Sequence, residues 1–128
     1  MIIGTGVDIL DYRRIERLYD KFADKFTKKI FTTQEIEFCQ KRRLFIQSIA
    51  KMFSIKEAVI KAISNVSGIF WHDIEIFHDK NGKPFIKLSG KALEKVQLKA
   101  DAFNIEVSVS DEPPYICAFV ILEKLDHN

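Results

Sequence analysis

The chain has 128 residues, of which 47% are hydrophobic and 30% are charged, and its formal net charge is +2. This composition predicts a single domain over residues 1–128 with a real core and a solvated surface. No apolar run reaches the roughly 18 residues of a membrane span, and the N-terminus lacks the charged leader of a signal peptide. The two cysteines, Cys39 and Cys117, have no paired spacing, so we expect reduced thiols in a cytoplasmic protein, without a disulfide or a zinc site.

The positive charge is concentrated in the first third of the chain. Ten of the twenty Lys and Arg residues lie between Arg13 and Arg43, together with five acids, so this segment carries about +5 and the remainder about −3. A local basic surface on a nearly neutral protein favours a compact acidic partner or phosphate groups over a general coating of nucleic acid. A solvated helix face is the alternative interpretation.

The first half of the chain predicts one strand followed by helices. Residues Ile2 to Leu10 alternate as a strand does, with Gly4, Gly6 and Asp8 on one face. The segments that follow are a helix capped by Asp11, a basic stretch up to Thr32 that is irregular or helical, a short helix from the Thr32–Glu35 capping box to about Lys41, and the longest helix from about Arg43 to Ile63.

The second half predicts two hairpins separated by a helix. The first hairpin joins Asp73–Phe77 to Pro84–Leu88, a helix runs from Ser89 to about Ala102, and the second hairpin joins Asn104–Ser110 to Tyr115–Leu122. This order of elements predicts an α+β fold, in which a largely antiparallel sheet packs against the long central helix.

The first strand carries one candidate site, Gly4-x-Gly6-x-Asp8. Two residues without side chains share a strand face with a carboxylate, so a ligand could approach the backbone beside Asp8. The pattern is not a dinucleotide fingerprint, because Ile9 occupies the third glycine position. An edge strand with a solvated Asp8 is the plainer interpretation.

The long helix carries the second candidate site. Small or polar side chains form a narrow stripe on a helix that is otherwise apolar; they are Ala50, Ser54, Glu57 and Lys61. The Glu57–Lys61 pair has the spacing of an ordinary helix salt bridge, but such pairs usually decorate exposed helices. Lys56 points toward the apolar side, where it must snorkel or find an anion.

Together the two sites suggest a magnesium centre for phosphoryl chemistry. Magnesium takes one or two carboxylates together with phosphate oxygens and water. Asp8 and Glu57 would supply the carboxylates, and Lys61, one turn from Glu57, would neutralise phosphate charge.

The motifs resemble those of holo-[acyl-carrier-protein] synthases, the short bacterial 4′-phosphopantetheinyl transferases, over essentially the whole chain. The resemblance is carried by Gly4-Thr5-Gly6-Val7-Asp8-Ile9 with Arg14-Ile15-Glu16, by Phe31-Thr32-Thr33-Gln34-Glu35, by Phe53-Ser54-Ile55-Lys56-Glu57-Ala58 with Lys61-Ala62, and by Asp73-Ile74-Glu75-Ile76, Asn81-Gly82-Lys83-Pro84 and Val107-Ser108-Val109-Ser110. It implies transfer of the 4′-phosphopantetheine group from coenzyme A to a serine of apo acyl carrier protein, releasing adenosine 3′,5′-bisphosphate, in support of fatty acid biosynthesis.

The resemblance also implies roles for individual residues. Asp8 and Glu57 would bind magnesium, with the coenzyme A diphosphate completing the site. The coenzyme A contacts would come from Lys61 and Lys56 at the phosphates and from Gly82, Lys83 and Pro84 near the adenine. Arg14 would grip the acidic helix of the carrier protein, and relatives form homotrimers with sites between subunits.

Three positions depart from the common family pattern. Met52 stands where many relatives have Arg, and Glu106 and Asp111 stand where many have His. Glu106, Asp111 or a water therefore remain as candidates for the base that takes the serine proton. Three alternatives stay open: a non-catalytic descendant of the family, a basic module that binds single-stranded nucleic acid, and a metal-dependent phosphohydrolase.

Overall fold

The computed structural model describes residues 1–126. Five strands and five helices occur in this part of the chain. The strands are Ile2–Asp11 (β1), Ile74–His78 (β2), Pro84–Leu88 (β3), Phe103–Glu112 (β4) and Tyr115–Lys124 (β5). The helices are Tyr12–Phe22 (α1), Asp24–Ile30 (α2), Thr33–Gln40 (α3), Phe45–Ile63 (α4) and Gly90–Gln97 (α5), and Trp71–Asp73 forms a 3₁₀ turn.

The predicted α+β class is confirmed, with one difference in the sheet. The strands form two antiparallel sheets, a three-stranded one in the order β1–β5–β4 and a separate hairpin of β2 and β3. Helix α4 packs on β1 and β5. No helix within residues 1–126 has the length and apolarity needed to cross a membrane.

Helix boundaries differ from the predicted ones where the backbone leaves the helical region. The basic stretch after α1 forms a separate helix, α2, because Ala23 has a φ of 48° and breaks the chain between the two. Helix α5 ends at Gln97, several residues earlier than predicted, and the Lys99 amide then bonds to the Val96 carbonyl three residues back. Helix α4 begins at Phe45 rather than at about Arg43.

The three-stranded sheet has one buried face and one exposed face. Apart from Asp8, the residues that pack under α4 are apolar or lack a side chain. They are Gly6 and Leu10 of β1, Val107 of β4, and Ile116, Ala118, Val120 and Leu122 of β5. On the other face, Val7 is 54% exposed, Ile9 72% and Phe119 42%. The described residues therefore leave an apolar sheet surface uncovered in the single chain.

Glycines allow β1 and α4 to approach backbone to backbone. A Cβ added to Gly6 would overlap the Ala58 carbonyl oxygen, and one added to Gly4 would overlap that of Ala62. This finding corrects the interpretation of the glycine pattern as an opening for a ligand, because the backbone of α4 occupies that space. Close contact between strand and helix is what places Asp8 against α4.

Candidate functional site

Asp8 and Glu57, 49 positions apart in the sequence, lie together where β1 packs on α4. Asp8 is on the buried face of β1, and its side chain is only 14% exposed. The Ser54 hydroxyl donates a hydrogen bond of 2.8 Å to Asp8 Oδ2. Lys61 Nζ donates one of 2.8 Å to the Val7 carbonyl oxygen and lies 3.5 Å from Asp8 Oδ1. Both oxygens of Asp8 thus have a partner on α4.

The electrostatics of Glu57 show that the two carboxylates interact. Burial raises the pKa of Glu57, and the negative charge of Asp8 raises it further. The positive charges of Lys61 and Arg14 act in the opposite direction but do not cancel the rise. The two carboxylates repel each other, and a cation bound between them would remove that repulsion.

The donor set at this site fits a hard divalent cation. It consists of two carboxylates, with a hydroxyl and an ammonium beside them. No cluster of three or more His, Cys, Asp or Glu able to hold a metal occurs within residues 1–126. A pair of carboxylates is too few for a protein-only calcium or zinc site, but it matches magnesium, which takes its remaining ligands from phosphate oxygens and water.

A groove of about 480 Å³ opens beside Glu57 between α1, α2 and α4. Its lining mixes apolar floor with basic rim: Arg14, Leu18, Phe22, Lys25, Phe26, Lys29, Ile30, Phe53, Glu57 and Trp71. The Arg14 guanidinium lies 5.8 Å from the centre of the Phe53 ring, and that ring packs against Trp71 at 5.4 Å. The basic first third of the chain therefore borders the carboxylate pair directly.

Lys56 does not face this site, which contradicts the prediction that it holds a phosphate. Its side chain has no exposed surface. Lys56 Nζ donates to Glu35 Oε1 at 2.8 Å, and to the carbonyl oxygens of Ile30 and Trp71 at 2.9 and 3.1 Å. These three bonds use every N–H of the ammonium. Burial lowers the Lys56 pKa, an effect that the charge of Glu35 opposes.

The residues predicted to contact the adenine of coenzyme A lie away from the carboxylate pair. Gly82 and Pro84 line a pocket of about 220 Å³ together with Arg42, Lys51 and Asp111, and this pocket includes neither carboxylate of the site. Beside it the His78 ring stacks on Phe38 at 3.9 Å, with the Arg42 guanidinium 5.3 Å from the Phe38 ring centre. Lys83 Nζ is directed away, 3.6 Å from Glu106 Oε2.

The three positions that depart from the family pattern also have partners. Glu106 accepts a hydrogen bond from Asn104 and faces Lys83, and both contacts hold its pKa below the usual value. Asp111 lies 3.3 Å from Lys51. Met52 is buried, with its Sδ 3.7 Å from the Cys39 Sγ.

The sequence interpretation assigns neither the bond from Ser54 to Asp8 at the site nor the buried pairing of Glu35 with Lys56 behind it. Ser54 belongs to the predicted polar stripe, and a hydroxyl one turn before Glu57 was a signal that it could bond to a ligand carboxylate. The sequence predicts Glu35 only as a capping residue. The neighbouring sequence does not indicate that Glu35 Oε2 accepts a hydrogen bond from Ile76 in β2, or that the Glu35 charge pairs with Lys56 in α4.

Comparison with known proteins identifies relatives over almost the whole chain. The sequence profile of the 4′-phosphopantetheinyl transferase superfamily matches residues 4–120. A holo-[acyl-carrier-protein] synthase of Aliivibrio fischeri (strain MJ11) is 40% identical over 124 residues, covering 95% of this chain and 98% of that protein.

Solved structures of such synthases have the same fold. The crystal structure of holo-[acyl-carrier-protein] synthase from Neisseria meningitidis has a TM-score of 0.82 at 36% identity, covering 97% of this chain and 100% of the other. The Helicobacter pylori enzyme, solved in complex with coenzyme A, has a TM-score of 0.79 at 27% identity, covering 93% of this chain and 99% of that one.

Proposed function

We propose that this chain, which belongs to the 4′-phosphopantetheinyl transferase superfamily, acts as a holo-[acyl-carrier-protein] synthase. It transfers the 4′-phosphopantetheine group of coenzyme A to a serine hydroxyl of apo acyl carrier protein. The hydroxyl gives its proton to a base, for which Glu106, Asp111 and a water are the candidates. Its oxygen bonds to the β-phosphorus, the diphosphate P–O bond breaks, and adenosine 3′,5′-bisphosphate leaves. The observation that carries the proposal is the Asp8–Glu57 pair, with Lys61 beside it and a basic groove next to it. The reaction serves fatty acid biosynthesis.

Magnesium is the cofactor that we assign to this pair, with Asp8 and Glu57 as its protein ligands. A bound magnesium ion would supply charge stabilisation to the diphosphate oxygens. The chain prepares the site by fixing the Asp8 carboxylate between Ser54 and Lys61, so that little reorganisation is needed when a cation binds.

The side chain of Lys61 is exposed enough to contact the phosphates of coenzyme A. Its side chain is 53% exposed, in contrast to the buried Lys56. The ammonium is already held at the site by the Val7 carbonyl and Asp8. A cation so placed can turn to a phosphate oxygen and stabilise the charge that develops there during transfer.

The groove beside Glu57 is the docking site that we propose for the carrier protein. Its basic rim, with Arg14, Lys25 and Lys29, complements an acidic helix, and its apolar floor can accept that helix's nonpolar side chains. A protein seated here would bring its serine to the edge of the carboxylate pair.

We further propose a homotrimer in the cytoplasm, with the site completed between subunits. The uncovered sheet face with Val7, Ile9 and Phe119 is the surface we assign to subunit contact. The pocket lined by Gly82 and Pro84 is separate from the carboxylates within one chain. A neighbouring subunit's hairpin would therefore supply the adenine end of the coenzyme A site. The unpaired thiols suit a reducing compartment.

The direct experiment incubates the protein with apo acyl carrier protein, coenzyme A and magnesium, and measures the intact mass of the carrier. We expect the carrier to gain one phosphopantetheinyl group, and Asp8→Ala and Glu57→Ala each to abolish this gain. Glu94→Ala, an exposed carboxylate on α5 paired with Lys91, is the matched control and should behave as the unmodified protein. Full turnover by either site variant would refute the metal assignment. Release of phosphate without a carrier protein would indicate a hydrolase instead.

A further inference from the structure

The buried ammonium of Lys56 joins segments that are distant in sequence. Its three acceptors are the Glu35 side chain in α3, the Ile30 carbonyl at the end of α2 and the Trp71 carbonyl in the 3₁₀ turn. Because each N–H of the ammonium has one acceptor, Lys56 fixes the distance from α4 to all three segments at once.

Glu35 adds two backbone hydrogen bonds to this network. Its Oε1 accepts a 2.7 Å hydrogen bond from the Thr32 amide, and its Oε2 accepts a 2.8 Å bond from the Ile76 amide in β2. Like Lys56, it has no exposed side-chain surface. The pair is therefore a cross-link between α4, the start of α3 and the first strand of the hairpin.

Stability alone is a weak reason for a buried ion pair. Removing two charges from water is costly, and an apolar pair of similar volume is often equally stable or more so. What directional bonds add is a fixed geometry. Two of the Lys56 acceptors, Ile30 and Trp71, belong to the lining of the groove, and the next residue along α4 is Glu57.

We propose that Lys56 is a positioning residue that, together with Glu35, holds the Ile30 and Trp71 walls of the groove in register with Glu57. The substrate protein then docks at the correct distance from the carboxylate pair. This role rests on the proposed function, in which the groove receives the acyl carrier protein. Lys56 touches neither substrate nor cofactor.

The position of one groove wall can be read without any substrate. Trp71 is the only tryptophan in the chain, and its carbonyl is a Lys56 acceptor while its ring packs on Phe53. In Lys56→Met we expect the tryptophan emission to shift to longer wavelength and acrylamide to quench it more strongly. Far-UV circular dichroism should stay unchanged. Lys91→Met is the control, because Lys91 is an exposed lysine of α5 that pairs with Glu94 and lines neither the groove nor the Gly82–Pro84 pocket.

The kinetic test separates positioning from general loss of stability. Below its unfolding temperature, Lys56→Met should raise the KM for the carrier protein about tenfold or more, while the KM for coenzyme A changes little. Glu35→Gln keeps the shape of the side chain and is the second variant should Lys56→Met fail to fold; the same split is expected. Restoring Lys at position 56 by reversion should restore both the emission and the KM.

Three outcomes would overturn the proposal. The first is a folded Lys56→Met protein with unchanged quenching and unchanged KM values. The second is an equal rise of both KM values, and the third is a Lys91→Met protein that shows the same changes as Lys56→Met. If the unmodified protein transfers nothing to the carrier while Lys56→Met still exposes Trp71, the positioning of the groove stands and the transferase assignment fails.

Discussion

Gly6→Ala offers a sharp test of how the fold builds the site. The added Cβ would lie 2.8 Å from the Ala58 carbonyl carbon and 3.0 Å from the Ala62 nitrogen, and nearer still to the Ala58 oxygen. Ordinary contact begins at 3.4 Å, so β1 and α4 must separate by at least about 0.6 Å, the difference between 3.4 and 2.8 Å. All of these neighbours are backbone atoms, which cannot rotate away.

The separation should damage both stability and catalysis. Overpacking of this kind costs about 1–3 kcal/mol, equivalent to a fall in Tm of roughly 4–12 °C for a chain of this size. Asp8 lies two residues from Gly6 on the same face of β1, so it moves away from Glu57 and Ser54 with the strand. Because a misplacement of about 1 Å can lower a rate about 100-fold, we expect kcat/KM for transfer to fall by roughly one to two orders of magnitude.

The assay combines calorimetry with initial rates of carrier modification. Glu94→Ala, at an exposed position of α5 away from β1, is the control and should leave both measurements nearly unchanged. Adding Ala58→Gly to Gly6→Ala should give no rescue, because the overlap is with the carbonyl and not with the methyl group. A Gly6→Ala protein with the Tm and kcat/KM of the unmodified chain would refute the claim that backbone contact positions Asp8.

Four further predictions concern charge and assembly. The pKa of Glu57 is raised in the folded state, so its ionised form destabilises the fold above that pKa. Glu57→Gln should therefore stabilise the metal-free protein at pH 7. Calorimetry should show this gain disappearing as the pH falls through the raised pKa toward the pKa of the unfolded chain. Arg14→Glu should raise the KM for the carrier protein about tenfold or more and leave coenzyme A binding nearly intact, whereas equal losses would reject the docking role. If the proposed trimer forms through this sheet face, Phe119→Glu should give monomers in light scattering, and a persistent trimer would place the interface elsewhere. Glu106→Gln should lower kcat by less than about tenfold, because a carboxylate with a lowered pKa is a weak base; a loss of about 100-fold or more would make Glu106 the proton acceptor.

Features that depend on a few neighbouring residues could be predicted from the sequence. The Thr32–Glu35 capping box forms with both of its hydrogen bonds, and Asp11 caps α1 through the Arg13 amide. The strands of both hairpins pair as their alternation indicates. In each case the residues that determine the structure lie within one turn or one hairpin, and the tertiary contacts agree with their local preference.

Features that depend on distant contacts could not be predicted in this way. The glycines of β1 face the carbonyls of α4 more than fifty positions later, and a pattern of small residues does not tell whether a ligand or a helix will approach. Ala23 breaks the helix between α1 and α2 without any Gly or Pro in that segment. For the site, the strand pattern singled out Asp8 and the helix spacing singled out Glu57 and Lys61, and the family resemblance then implied that Asp8 and Glu57 share one magnesium ion.

The different roles of Lys56 and Lys61 follow from helix geometry. Successive residues of an α-helix are rotated by about 100°, so side chains five positions apart point about 140° away from each other. Lys56 and Lys61 therefore cannot both face one diphosphate while α4 stays straight. Since α4 is packed on nearly every side, each position meets a different neighbour: Ser54 meets Asp8, Lys56 meets Glu35, and Lys61 lies at the open edge. One short segment can thus hold Asp8 of the proposed cation site, bond to the backbone of two groove segments through Lys56 and leave Lys61 exposed, because the helix directs consecutive side chains into separate environments.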